Sequence, residues 1–209
     1  MSGSRVVIVG AGHAGGTAAA LLRQYGYEGA ITLIGDEPIP PYQRPPLSKA
    51  WLKGEADADS LALKPIEFYA EAGIDFRPSV TVTALDRGAK TVALSDGASL
   101  VYDHLILATG ARAIALPIEG KDLAGILFLR TAADAEALKA QVGPGKTLVV
   151  VGGGYIGLEV AASRRGGDGG RARGAPAGSR RLRTALRFLP GPARGRGRRL
   201  RARGDCHRF

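Results

Sequence analysis

The chain has 209 residues, enough for one substantial core or two small domains. Its formal charge of +10 is unevenly spread: residues 164–209 hold 15 Arg, no Lys and two acids, a net +13, while residues 1–163 carry a net −3. The basic balance therefore belongs to the C-terminal segment. The single cysteine, Cys206, lies there too, which excludes a disulfide or a Cys ligand cluster from the body, and no metal site is expected. No apolar run approaches the ~20 residues of a membrane helix. The first apolar run begins at Val6 behind a single Arg and reads as a strand rather than a signal peptide, so a cytoplasmic location is expected.

Arg5-Val6-Val7-Ile8-Val9 has the β-branched character of a buried parallel strand. It runs into Gly10-Ala11-Gly12-His13-Ala14-Gly15, and Thr17 to Gln24 reads as a helix. In such a turn Gly10 permits the sharp change of direction, Gly12 lets backbone approach a pyrophosphate, and Gly15 lets helix and strand pack closely. The helix N-terminus then offers N–H groups and a positive dipole end to phosphate. Ile31 to Ile34 forms the next strand, and Asp36 follows Gly15 by 21 residues, the distance at which an acid accepts from an adenosine ribose. The alternative is a glycine-rich turn with a solvated acid after a strand. His13 reads either as a catalytic group or as an exposed loop residue, and no second His or acid nearby would orient it.

Five prolines between Pro38 and Pro46 disfavour a helix and favour a stiff loop. Ser48 is expected to N-cap a helix starting at Lys49. A rigid loop bearing Tyr42, Arg44 and Lys49 could line a planar ligand, or it could be a connector. Val80–Thr83 and Thr91–Leu94 alternate like strands, and Ser95-Asp96-Gly97 is a turn. Leu105 to Ala108 reads as another buried strand, ending at Thr109-Gly110, where glycine allows close approach to a ligand.

Thr147-Leu148-Val149-Val150-Val151 and Gly152-Gly153-Gly154-Tyr155-Ile156-Gly157 repeat the opening theme, with Gly152, Gly154 and Gly157 in the three glycine places. Two such units argue for two dinucleotides, one a redox group and one a substrate. Glu159 on the following helix reads, without further information, as an exposed helical acid. The pattern then breaks. Of the 46 residues from Arg164, 34 are Arg, Gly, Ala or Pro, with no Val, Ile, Tyr or Trp. Such a segment buries too little apolar surface to offset chain entropy. It is expected to be disordered, with the helix from Tyr155 ending near Ser163. Three origins compete: a nucleic-acid-binding tail, a linker, or an out-of-frame translation of a G/C-rich gene. Only Phe188 and Phe209 could stack on bases, so nucleic acid is disfavoured as a partner. The codons of Asp168 to Ala172, shifted one base forward, permit Thr-Val-Val-Glu, a strand followed by an acid.

The residues Leu33-Ile34-Gly35-Asp36-Glu37, Tyr42 to Lys49, Leu94-Ser95-Asp96-Gly97, Leu107-Ala108-Thr109-Gly110, Phe128-Leu129-Arg130-Thr131 and Gly152 to Glu159 together resemble the ferredoxin and rubredoxin reductases. The resemblance runs in order from residue 5 to about 163. It implies an α/β fold: a Rossmann-like FAD-binding domain with a β-meander, followed by the truncated start of a second, NAD(P)-binding Rossmann-like domain. The implied limits are 1–113 for the FAD domain, 114–145 for a connecting segment, 146–163 for the second domain and 164–209 for the tail. It implies FAD as cofactor, NAD(P)H as substrate and a small iron–sulfur protein, ferredoxin or rubredoxin, as partner, with no membrane. It places Gly12 and Ala14 at the FAD pyrophosphate, in the cofactor-binding turn that Gly10 and Gly15 shape, and Asp36 at the ribose. Arg44 and Lys49 lie along the isoalloxazine and pyrophosphate side. Val82 meets adenine through its backbone, and Thr109, Gly110 and Arg130 close over the flavin nucleotide. Gly152, Gly154, Ile156 and Gly157 would hold NAD(P)H, with Lys49 and Glu159 as an ion pair at the catalytic end. The body's lack of cysteine excludes the redox-disulfide mechanism of glutathione-reductase-like relatives. The family's later FAD-binding segment and interface domain are not in this sequence, so a truncated chain of impaired activity is expected.

Overall fold

The β-branched run at the N-terminus forms β1 (Arg5–Val9), which leads through the glycine turn into α1 (His13–Gln24) and back to β2 (Ala30–Ile34), parallel to β1. These assignments come from a computed structural model that describes residues 3–114, 117, 119–142, 146–165, 172–175 and 185–189. The chain divides into two compact units, Met1–Arg44 with Asp57–Ala111, and Pro45–Ala56 with Arg112–Phe209.

In the first unit the short helices α3 (Ala58–Leu61) and α4 (Ile66–Glu71) precede β3 (Ile74–Arg77). (The second unit's α2, Ala50–Lys53, comes before them in the chain.) An antiparallel meander follows, β4 (Val82–Asp86), β5 (Thr91–Leu94) and β6 (Ser99–Val101), and then β7 (His104–Leu107). The parallel sheet has the order β3-β2-β1-β7. Side chains alternate across a strand, and β1 is buried on both faces. Val6 and Ile8 pack with Ala19 of α1 and Tyr69 of α4, while Val7 and Val9 pack with Val92 and Leu94 of the meander. Full burial of each such side chain contributes about 1.5–3 kcal/mol. Arg23 joins α1 to the segments flanking β2 and β3, donating to the carbonyls of Tyr27, Gly29, Ala72 and Gly73. The strand at 105–107 differs from the expected buried one. Among the described residues it pairs with β1 on one side only, and Leu107 is 63% exposed.

The second unit begins inside the proline-rich stretch. Pro45–Ser48 wind into a 3-10 turn, because proline's fixed φ suits the opening of a helical turn. The residue before α2 is Lys49, so Ser48 is not the N-cap that the sequence suggests. The segment after residue 113 is more than a connection. It supplies β8 (Ile126–Leu127) and α5 (Ala132–Gln141), the latter opened by a capping box between Thr131 and Asp134. β9 (Thr147–Val151) and α6 (Tyr155–Arg165) follow, and Leu52, Leu138, Leu148, Val150 and Val160 form the core. The expected structureless tail needs correcting at two places. Ala172–Ala175 is a strand, β10, parallel to β9, and Ala185–Leu189 is a strand, β11, antiparallel to β9 and to β8. Ladder hydrogen bonds come from backbone N–H and C=O groups, so both edges of β9 can accept strands whose side chains carry no β signal. The other residues of that expected tail lie outside the described ones. Among the described residues no helix is long and apolar enough to cross a membrane.

Candidate dinucleotide sites

Three glycines of the first turn have different surroundings, and these separate packing from ligand access. Gly10 has φ +109°, and a Cβ there would strike the carbonyl of Ala108. Its N–H donates to the Ile34 carbonyl at 2.8 Å, fixing the turn at the ends of β1 and β2. A Cβ on Gly15 would strike the Gly10 carbonyl, so helix and turn touch as the spacing predicts. A Cβ on Gly12 meets only Arg44 Nη2, at 4.0 Å. Gly12 is also the N-cap of α1, where no side chain caps the helix and no acid occupies the first turn. Unsatisfied N–H groups thus face an open space with a guanidinium at its margin, a cradle suited to a pyrophosphate. Ala14 and His13 are exposed at the same turn.

Arg44 is held there by two residues whose role the sequence did not reveal. Its Nη2 donates to Glu37 Oε1 at 2.8 Å and its Nη1 to Tyr42 Oη at 3.2 Å, while Tyr42 donates to Glu37 Oε2 at 2.7 Å. The guanidinium also lies 5.2 Å from the Tyr42 ring centroid. Tyr42, considered as a ligand-lining residue, is instead buried at 4% exposure and supports Arg44. Asp36 is exposed just beyond β2. The register of β4 shifts between Val82 and Ala84, an irregularity that re-aims backbone at Val82. Thr109 and Gly110 are exposed beyond β7. The uncapped start of α1, the space at Gly12 and the Arg44 guanidinium fit the pyrophosphate of a dinucleotide.

In the second unit Gly152 has φ +107°, repeating the conformation of Gly10. Gly154 and Gly157 are buried at the start of α6, and Ile156 and Tyr155 are exposed. Nothing lies within 4 Å of a Cβ built on Gly153, so the turn stands open. Lys49 belongs to this unit, and its Nζ is 3.0 Å from Glu159 Oε1. Ser48 donates to Glu159 Oε2 at 2.6 Å. The Ser48 hydroxyl, and then Lys49, hold the Glu159 carboxyl below the ordinary carboxylate range. The sequence offered no signal for Ser48 as a partner of Glu159. Arg130 also lies in this unit, whereas Thr109 and Gly110 lie in the first; its backbone N–H donates to Asp134 Oδ2 at 2.9 Å. Among the described residues no group of three or more His, Cys, Asp or Glu side chains is placed to hold a metal ion.

Two strand–glycine turn–helix units, each opened by a glycine at nearly the same positive φ, define an α/β protein built to hold dinucleotides. The chain belongs to the pyridine nucleotide-disulphide oxidoreductase family, which it matches over residues 4–168. That family is FAD-dependent and uses NAD(P)H. The chain is 56% identical over 159 residues to a probable ferredoxin reductase of Castellaniella defragrans, covering 76% of this chain and 39% of that protein. It is 47% identical to a rubredoxin-NAD(+) reductase of Pseudomonas putida, covering 77% of this chain and 42% of the relative. A solved covalent complex of putidaredoxin reductase with putidaredoxin aligns with a TM-score of 0.75 and 45% identity, over 80% of this chain and 41% of the matched one. The chain thus spans about two fifths of the length of these relatives. The family match ends at residue 168, close to where the Arg/Gly-rich composition begins.

Proposed function

We propose that the chain binds FAD through its first unit and NAD(P)H through its second, in a reaction that passes electrons from NAD(P)H through FAD to a small iron–sulfur protein, a ferredoxin or rubredoxin. The observation that carries this reading is the repeated turn, with φ +109° at Gly10 and +107° at Gly152. One dinucleotide site would suit many activities, whereas two in one chain suit a resident redox group and a diffusible donor. The partner class rests on the relatives, which are named for ferredoxin, rubredoxin and putidaredoxin. A cytoplasmic location belongs to the same reading, because the donor is drawn from the cell's NAD(P)H pool.

In this mechanism Gly12 leaves room for the pyrophosphate, Arg44 neutralises part of its charge, and Asp36 accepts from the adenosine ribose. Val82 offers backbone to adenine, and Thr109 and Gly110 of the same unit hold the flavin nucleotide. Gly152, Gly154, Ile156 and Gly157 hold the second dinucleotide. Lys49 and Glu159 form the reacting end, where an ammonium fixed by a carboxylate supplies a local positive charge. Bound FAD supplies acceptance of a hydride and its release as single electrons. An acid about 20 residues after the glycines would fix the second ribose. Between residues 165 and 204 the sequence holds one acid, Asp168. Turnover by this chain is therefore low, and restoring the frame suspected at Asp168–Ala172 raises it.

Flavin fluorescence tests the first site. The 209-residue chain quenches added FAD, and Gly12→Val, whose side chain enters the open space, abolishes the quenching. Equal quenching by both would overturn the assignment. NADH and NADPH oxidation with an artificial acceptor tests the second, beside a frame-restored chain. Comparable turnover by the two would make the Arg-rich segment a working part of the enzyme.

A further inference from the structure

We propose that Ser48 is a positioning residue for Glu159 and, through it, for Lys49. Ser48 is buried, at 4% exposure. An unpaired buried hydroxyl is costly, and the carbonyl of Pro45 is 3.4 Å from the Ser48 hydroxyl, too far for a strong bond. It donates instead to Glu159 Oε2 at 2.6 Å, the short distance of a charge-assisted bond. The next residue takes the other oxygen, with Lys49 Nζ 3.0 Å from Oε1. The Ser48 carbonyl in turn accepts from Ser163 Oγ at 2.8 Å. Glu159 and Ser163 are four apart on α6 and so share a face. Two consecutive residues of one turn therefore hold both oxygens of one carboxylate, and the same turn is anchored again one helical turn further on.

The two arms are unequal. Lys49 is half exposed, and an exposed ion pair orders its side chains weakly. The Ser48 arm is buried and short, so it sets the plane of the carboxylate against which Lys49 is aligned. Lys53, the other cation of the α2 segment, pairs with Glu55 at 3.7 Å and leaves Lys49 as the cation paired with Glu159. The hydroxyl is also the largest influence keeping Glu159 ionised. Its loss would loosen the carboxylate first and the ammonium second. The role rests on the reading of Lys49 and Glu159 as the reacting end of the second site.

The test is a carboxyl ¹³C NMR titration of the 209-residue chain with no nucleotide added. In Ser48→Ala the Glu159 midpoint moves up toward the ordinary carboxylate range, by more than in Lys49→Met. Ser48→Thr, which keeps the hydroxyl, restores it. An unchanged midpoint in Ser48→Ala, or a Thr variant that behaves like Ala, overturns the inference. Should the alanine variant not fold, Ser48→Cys keeps the volume with a much weaker donor, and its midpoint must rise as well. The titration does not depend on the proposed reaction. If it behaves as expected while Glu159→Gln leaves NADH oxidation by the frame-restored, FAD-supplemented chain unchanged, Ser48 positions the pair and the assignment of the reacting end fails instead.

Discussion

The carbonyl oxygen of Gly10 fills the place where a side chain on Gly15 would begin, whereas the same construction on Gly12 meets nothing closer than Arg44 Nη2 at 4.0 Å. The two glycines therefore answer to different demands, one to packing and one to a ligand. Gly15→Ala forces backbone apart and is expected to destabilise the chain by about 1–3 kcal/mol. Gly12→Ala has an ordinary φ of −83° and open space, so its cost stays below about 1 kcal/mol. Urea unfolding of the two variants checks the contrast, and equal losses would contradict it.

Arg23 makes a second prediction. Its guanidinium donates four hydrogen bonds to backbone carbonyls, at 2.6 to 2.8 Å. A lysine carries the same charge but not the planar fork. Arg23→Lys is expected to lose about 2–4 kcal/mol, from bonds to a charged donor that a single ammonium cannot replace. Denaturant unfolding measures it, and a loss under 1 kcal/mol, roughly that of one ordinary bond, would show that water replaces the fork.

Tyr69 carries a buried hydroxyl with no hydrogen-bond partner among the described residues, and burial pushes its pKa up to about 12. Removing that oxygen removes an unsatisfied polar group, so Tyr69→Phe should be neutral or stabilising by up to about 1 kcal/mol. The alkaline limb should change as well. A raised folded pKa means that the stabilisation is whole below the unfolded value near 10 and is lost as pH rises toward 12. Unfolding midpoints at pH 8 and pH 11 should therefore fall further apart in the wild type than in Tyr69→Phe.

Asp103 governs the acid limb in the opposite sense. The Arg5 backbone N–H at 2.7 Å and its Nε at 3.2 Å hold the carboxyl below its ordinary range. A lowered folded pKa gives stability that is present above the unfolded value of ~3.9 and is lost as pH falls through the folded one. Asp103→Asn should thus be less stable than the wild type at pH 6, with the difference closing as acid protonates the folded carboxyl. A difference that persists unchanged at pH 2 would assign the effect to packing.

The parts of the fold legible from the amino-acid order were those where one residue type has one physical job. Val6 to Val9, the glycines at 10, 12 and 15, and Thr147 to Val151 announce a buried strand and a phosphate-ready turn, and they form β1, the first turn and β9. β3 carries no clear strand signal, because Asp75 and Arg77 dilute a four-residue strand. Ser48 sits where a cap would sit, and its real partner is 111 residues away, beyond any local rule. Glu37 and Tyr42 likewise look like loop residues until Arg44 gathers them. β10 and β11 carry no side-chain signature, since their strand state depends on the neighbouring backbone of β9.

The chain passes between its two units at Arg44–Pro45, Ala56–Asp57 and Ala111–Arg112. This has a consequence during synthesis. Leu52 emerges early, yet its core partners Leu138, Leu148 and Val160 are made much later. At about 5–20 residues per second, the interval between Leu52 and Val160 lasts roughly 5–20 s. In that interval the last strand of the first unit's parallel sheet is synthesised, while Leu52 still lacks the later members of its core cluster. Neither unit is one continuous stretch of chain, so the core around Leu52 closes only after the chain has been made through Val160.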